Sequence, residues 1–136
     1  LYIEQAKGAL RMVKVVVGGQ MDKQMIASFL EKRYPNQLSI EIKSDIEGAL
    51  AIKSGAADYY VGACATGAGG ALGIAVGLLG PAYTASLSIP GRIASEEEIK
   101  KHVADGKKAF GMVNNDIEKV LPILFDALLA KSQACD

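Results

Sequence analysis

The sequence predicts an α/β protein, a three-layer sandwich around a five-stranded parallel sheet in the flavodoxin-like order 2-1-3-4-5. Three observations carry this. Strand-like runs alternate with helix-like stretches five times between Val13 and Lys131, and such alternation calls for parallel strands with helices on both faces. The runs at Val13–Val17 and Tyr59–Ala63 are almost unbroken apolar segments, as strands buried on both faces are. Glycine-rich turns follow both runs, where a sheet of this kind feeds the chain into a helix.

Taken in order, Val13, Val15, Val16 and Val17 form a β-branched strand closed by Gly18-Gly19. Asp22 precedes Met25, Ile26, Phe29 and Leu30 at helical spacing, and Tyr34-Pro35-Asn36 ends that helix. Leu38, Ile40 and Ile42 alternate with Ser39, Glu41 and Lys43, which marks a half-buried strand at or near an edge. Asp45 is placed as the N-cap of a helix over Ile46–Ser54, closed by Gly55. Tyr59–Ala63 is the third strand, Gly70–Leu79 a helix and Tyr83–Ile89 the fourth strand. Ser95 with Glu98 three residues on reads as a capping box, and the acidic first turn suits the helix dipole. Lys108–Val113 is the fifth strand. Ile117–Lys131 is a final helix with Val120, Leu121, Leu124, Leu128 and Leu129 on one stripe and Pro122 placed to kink it.

Half of the 136 residues are apolar, enough for one domain with a real core. Fifteen basic residues balance fifteen acidic ones, which argues against binding to a nucleic-acid backbone. Two cysteines, Cys64 and Cys135, and a single histidine, His102, are too few for a disulfide framework or a structural zinc site. No metal or cofactor is expected, His102 reads as a solvated surface residue, Cys135 as incidental, and the setting as the cytoplasm. Residues 1–11 read as a foreign or flexible leader without a hydrophobic run, and residues 12–136 as the single domain. Tyr59–Gly91 carries no charge and is long enough to cross a bilayer. Its glycines, its short helical part and Pro81 argue instead for a buried strand, turn and helix, with no membrane insertion.

Ligands of such sheets bind beyond the carboxyl ends of the strands where the order reverses, here between strands one and three. Two loops meet there. One is Gly18-Gly19-Gln20-Met21-Asp22; the other is Cys64-Ala65-Thr66-Gly67-Ala68-Gly69-Gly70. Glycines just before a helix let backbone amides converge on a guest, and the helix end favours an anion. The turn is neither a Walker loop nor a dinucleotide fingerprint. Cys64 ends the strand ahead of this turn, where a helix dipole can acidify a thiol; burial as a packing residue is the competing reading.

The segment Ser54-Gly55-Ala56-Ala57-Asp58 through Cys64-Ala65-Thr66-Gly67-Ala68-Gly69 resembles the ribose phosphate isomerase type B and galactose-6-phosphate isomerase family. The resemblance implies Cys64 as the base that moves a proton between adjacent carbons of a sugar phosphate, with Thr66, Gly67 and Gly69 around the enediolate. That family's first-loop and ring-opening histidines have no counterpart in this chain. Over its length, from Val15-Val16-Val17-Gly18-Gly19 to Pro90-Gly91, the chain is similar to a glycine-rich bacterial family of unknown function.

The expectation is therefore a small anionic metabolite, a phosphorylated sugar, bound at the turn after the third strand. Cys64 and Thr66 are the candidate catalytic residues. Gly19, Gln20, Asp22, Gly67, Gly69, Gly70, Ser88 and Arg92 are the candidate ligand-binding residues. The alternative is a non-catalytic binding or regulatory subunit of a bacterial metabolic or transport operon. A homodimer through the charge-free helix Gly70–Leu79 is also expected.

Overall fold

The computed structural model describes residues 12–67 and 69–134; the leader, Ala68 and Cys135 lie outside the described residues. The chain runs β1 (Val13–Gly19), α1 (Lys23–Arg33), β2 (Leu38–Ile42), α2 (Asp45–Ser54), β3 (Tyr59–Cys64), α3 (Gly69–Leu79) and β4 (Thr84–Ser86). Then come a hairpin of β5 (Ser88–Ile89) and β6 (Arg92–Ile93), α4 (Glu96–Ala104), β7 (Ala109–Val113) and α5 (Ile117–Ala134). Five of the strands form one parallel sheet. One face carries α1, α4 and α5, with Ile26, Leu30, Ile99, Leu121, Leu124 and Phe125 packed on Val15, Val17, Phe110 and Met112. The other carries α2 and α3, with Ala49, Ile52, Leu72 and Ala75 on Val16, Tyr60 and Ala109. The three-layer sandwich is thus as expected.

The strand order is β2-β1-β3-β7-β4, so the last two sheet strands exchange places relative to the order 2-1-3-4-5. Composition explains the exchange. Ala-Phe-Gly-Met-Val of β7 is buried along its whole length, which suits an interior position. The segment after Tyr83 mixes serine and threonine with apolar residues and pairs with β7 over only three positions, which suits an edge.

The expected strand Tyr83–Ile89 also divides. Ser86 Oγ lies 3.0 Å from Gly67 O and 3.1 Å from Ser88 O, and Ser88 Oγ accepts the Val113 N–H at 2.8 Å. Serine side chains there take up groups that a longer ladder would pair, and Ser88–Ile89 turns back on Arg92–Ile93 instead.

Helix ends follow the sequence closely. Ser95 and Glu98 form the expected capping box of α4. The helix after β2 begins one residue earlier than expected, because Ser44 is its cap. Ser44 Oγ accepts the Glu47 N–H at 3.1 Å while the Glu47 carboxylate takes the Ser44 N–H. Asp45 is thereby released from capping.

Candidate functional site

The carboxyl ends of β1 and β3 lie side by side, with Gly18 opposite Gly62 and Gly19 opposite Ala63. Beyond Gly19 the chain folds across the end of β3: the Gln20 and Met21 amides both donate to Ala63 O, at 2.9 and 3.1 Å. This is possible because Gly19 adopts φ +88° and has no side chain; a Cβ there would stand 2.6 Å from Ala63 N. Gln20 and Asp22 are exposed on this loop. Asp22 sits at φ 56° and makes no side-chain bond to the first amides of α1.

Asp45, free of the cap, reaches this loop from the start of α2. Its Oδ1 accepts the Gly19 N–H and the Tyr60 hydroxyl, each at 2.6 Å, and its Oδ2 lies 3.5 Å from Gln20 Nε2. Tyr60 is 1% exposed. Its ring fits because Gly18, Gly48 and Gly62 carry no side chain: a Cβ on each would approach the tyrosine to 2.6, 2.8 and 3.1 Å respectively. Burial pushes the Tyr60 phenol well above its ordinary pKa, and the hydrogen bond to Asp45 adds to the effect. The Asp45–Tyr60 pair was missed from sequence. Two signals point to it. A tyrosine inside a buried strand needs a partner for its hydroxyl, and a serine already stands at the cap position next to Asp45.

On the β3 side, Cys64 is buried and opposite Val113 of β7. Its Sγ accepts the Gly67 N–H at 3.1 Å and lies 3.5 Å from Thr66 Oγ1. Gly67 turns the chain at φ +79°, and a Cβ on it would run into Ser88 O. Gly111 gives way on the other flank, where a Cβ would stand 2.8 Å from Gly67 O. Ala65 and Thr66 are exposed at the tip, and Gly69 and Gly70 open α3.

The structure thus brings Cys64, Thr66 and Gly67 into one turn directly before Gly69 and Gly70, with Gly19 and Gln20 one strand away. Ser88 lies beneath the turn, buried, with its hydroxyl engaged by Val113. Arg92 stands on the hairpin, where Glu98 holds its guanidinium at 3.0 Å. His102 is half-buried, not fully solvated as its place on a surface helix suggests. Its Nδ1 is buried with no hydrogen-bond partner among the described residues, and burial lowers its pKa.

Among the described residues no group of His, Cys, Asp and Glu could hold a metal ion, and no helix is long and apolar enough to cross a membrane.

The uncharacterized protein YhfU of Escherichia coli is 38% identical to this chain over 117 residues, covering 86% of this chain and 99% of the relative. YhfU of Shigella flexneri matches with the same identity and coverage. No solved structure matches. The model of the family described as protein of unknown function DUF2620 matches residues 13–128, and the chain therefore belongs to that family.

Proposed function

We propose that this protein binds a small anionic metabolite of the phosphorylated-sugar class at the turn between β3 and α3, acting in the bacterial cytoplasm as a binding or regulatory subunit. One observation carries the reading. The helices α2 and α4 begin with serine capping boxes that take up the third helical amide and the amide of the cap residue; α1 begins without a side-chain cap but behind the acidic, exposed Asp22, whereas α3 begins Gly69-Gly70 after Ala68, a residue with no side-chain oxygen and no charge. Amides left without a capping acceptor at a helix start attract anions. The neighbouring Thr66 hydroxyl is exposed and adds a polar group at the same place. The Gly67 amide is not part of this set, since Cys64 Sγ takes it.

Titration of ¹⁵N-labelled protein with inorganic phosphate and with ribose 5-phosphate tests the proposal. Saturable shifts are expected at Thr66, Gly69 and Gly70, with the sugar phosphate binding more tightly. Unmoved amides there overturn it.

A second reading, proton transfer by Cys64, is favoured by the same Gly67 N–H, because an amide donated to sulfur stabilises the thiolate. Its test is the pH midpoint of iodoacetamide alkylation in a Cys135→Ser background. A midpoint below about 7.5, against the ordinary thiol value of about 8.5, supports transfer; a thiol inert until unfolding overturns it.

The protein is further proposed to pair with a second copy through α3, whose charge-free outer face exposes Gly73, Ile74, Val76 and Gly77. Light scattering that gives a monomer mass at micromolar concentration refutes the pairing.

A further inference from the structure

At the amino ends of the strands, opposite the Cys64 turn, α2 and α3 finish beside each other and leave a groove of about 270 Å³. Ile52, Leu78 and Leu79 form its apolar wall, Tyr83 stands over it 50% exposed, and Lys53 and Lys108 flank it. Among the described residues no acidic one lines it. Neither lysine closes an ion pair or side-chain hydrogen bond through its ammonium among the described residues. Lys107, next in the chain, behaves otherwise and turns its Nζ to Pro81 O at 3.2 Å. Lys53 suits the carboxyl end of α2 in any case; Lys108 belongs to no helix.

We propose that this groove is a second ligand site, made for a small aromatic carboxylate. The apolar wall and the half-exposed tyrosine favour a flat hydrocarbon body. The two ammonium groups fix an anionic end by charge-assisted hydrogen bonds. The volume falls just under the about 300 Å³ at which pockets for drug-sized ligands begin, so the guest is a single ring with a short acidic arm. A phosphorylated sugar fits poorly here, because its hydroxyls would face Leu78 and Leu79 without partners.

The test uses 3-phenylpropionate and its uncharged analogue 3-phenylpropanamide, followed by methyl and aromatic NMR signals of the full chain. The acid should shift Ile52, Leu78, Leu79 and Tyr83 saturably while leaving Thr66 and Gly70 in place, and the amide should bind about tenfold more weakly. Lys108→Gln, an exposed change that leaves the core intact, should weaken the acid by about fivefold and leave the amide unaffected. Three results overturn the proposal. The first is no saturable shift up to about 10 mM acid, and the second is equal affinity for acid and amide. The third is movement of the groove signals on dilution of the protein alone, which would mean that another copy covers the groove.

Discussion

Replacing Tyr60 by Phe removes a single oxygen, and the structure sets what that should cost. The ring itself stays in place, since the surfaces of Gly18, Gly48 and Gly62 leave it no room to slide. The loss includes the hydrogen bond of 2.6 Å to the Asp45 carboxylate. Bonds to charged acceptors contribute about 1.5–3 kcal/mol. Asp45 is only half-buried and keeps the Gly19 N–H, so the lower half of that range applies, about 2 kcal/mol or roughly a 30-fold change in the ratio of folded to unfolded protein. In urea, with a slope near 2 kcal/mol per molar, the midpoint should fall by about 1 M at unchanged slope. A double-mutant cycle with Asp45→Ala, which removes the acceptor, should return a coupling of similar size, and the Gly19 amide resonance should move in both single variants. A Tyr60→Phe protein with a midpoint within about 0.2 M of the parent would mean that water already satisfies Asp45 and that the pair does not fix the β1–α1 loop.

Glycines inside helices give a paired test. Gly48→Ala gains about 1 kcal/mol of helix propensity but sets a Cβ 2.8 Å from Tyr60 Cδ2 and 3.0 Å from Val16 Cγ1. Overpacking of that kind costs about 1–3 kcal/mol, so thermal melts should show net destabilisation. Gly73→Ala, with nothing within 4 Å of the new Cβ, should instead stabilise by up to about 1 kcal/mol. His102 gives a pH test. Its folded pKa lies below its ordinary 6.5, so the unfolded chain takes up the proton first, and stability falls as pH drops from 6.5 towards the folded value. Melting temperatures between about pH 7.5 and 5.5 should fall more steeply in the parent than in His102→Gln.

Local signals were the most legible part of the sequence. The Ser95/Glu98 box, the β-branched run of β1 and the stripe of α5 each depend on residues close in the chain, and each holds. The exchange of β4 and β7 turns on a comparison between two distant segments, and the serines that end β4 act through Gly67 and Val113, which are far away in sequence. At the site, the turn from Cys64 to Gly70 was visible because glycines before a helix constrain the local backbone. Asp45 was hidden because an acidic residue at a helix start already has a sufficient local explanation as a cap. Only the competing Ser44/Glu47 box shows that its carboxylate is available to Gly19 and Tyr60. Likewise Ser88 reads from sequence as part of the strand Tyr83–Ile89 and as a candidate ligand-binding residue, and the bond its hydroxyl accepts from Val113 depends on a residue far along the chain.

Because β7 slots between β3 and β4, the order of synthesis and the order of neighbours disagree. A nascent chain that has emerged as far as Ala104 can pair β1, β2 and β3, yet β4 has no strand to lie against and β3 shows its surroundings a bare row of amides and carbonyls. Only when Ala109–Val113 emerges can the gap close from both sides at once. Half of the sheet is therefore sealed by one late five-residue insertion, and a chain cut short before it would carry the sticky edge permanently. For this fold, the hazard of premature termination lies less in a missing helix than in a missing wedge.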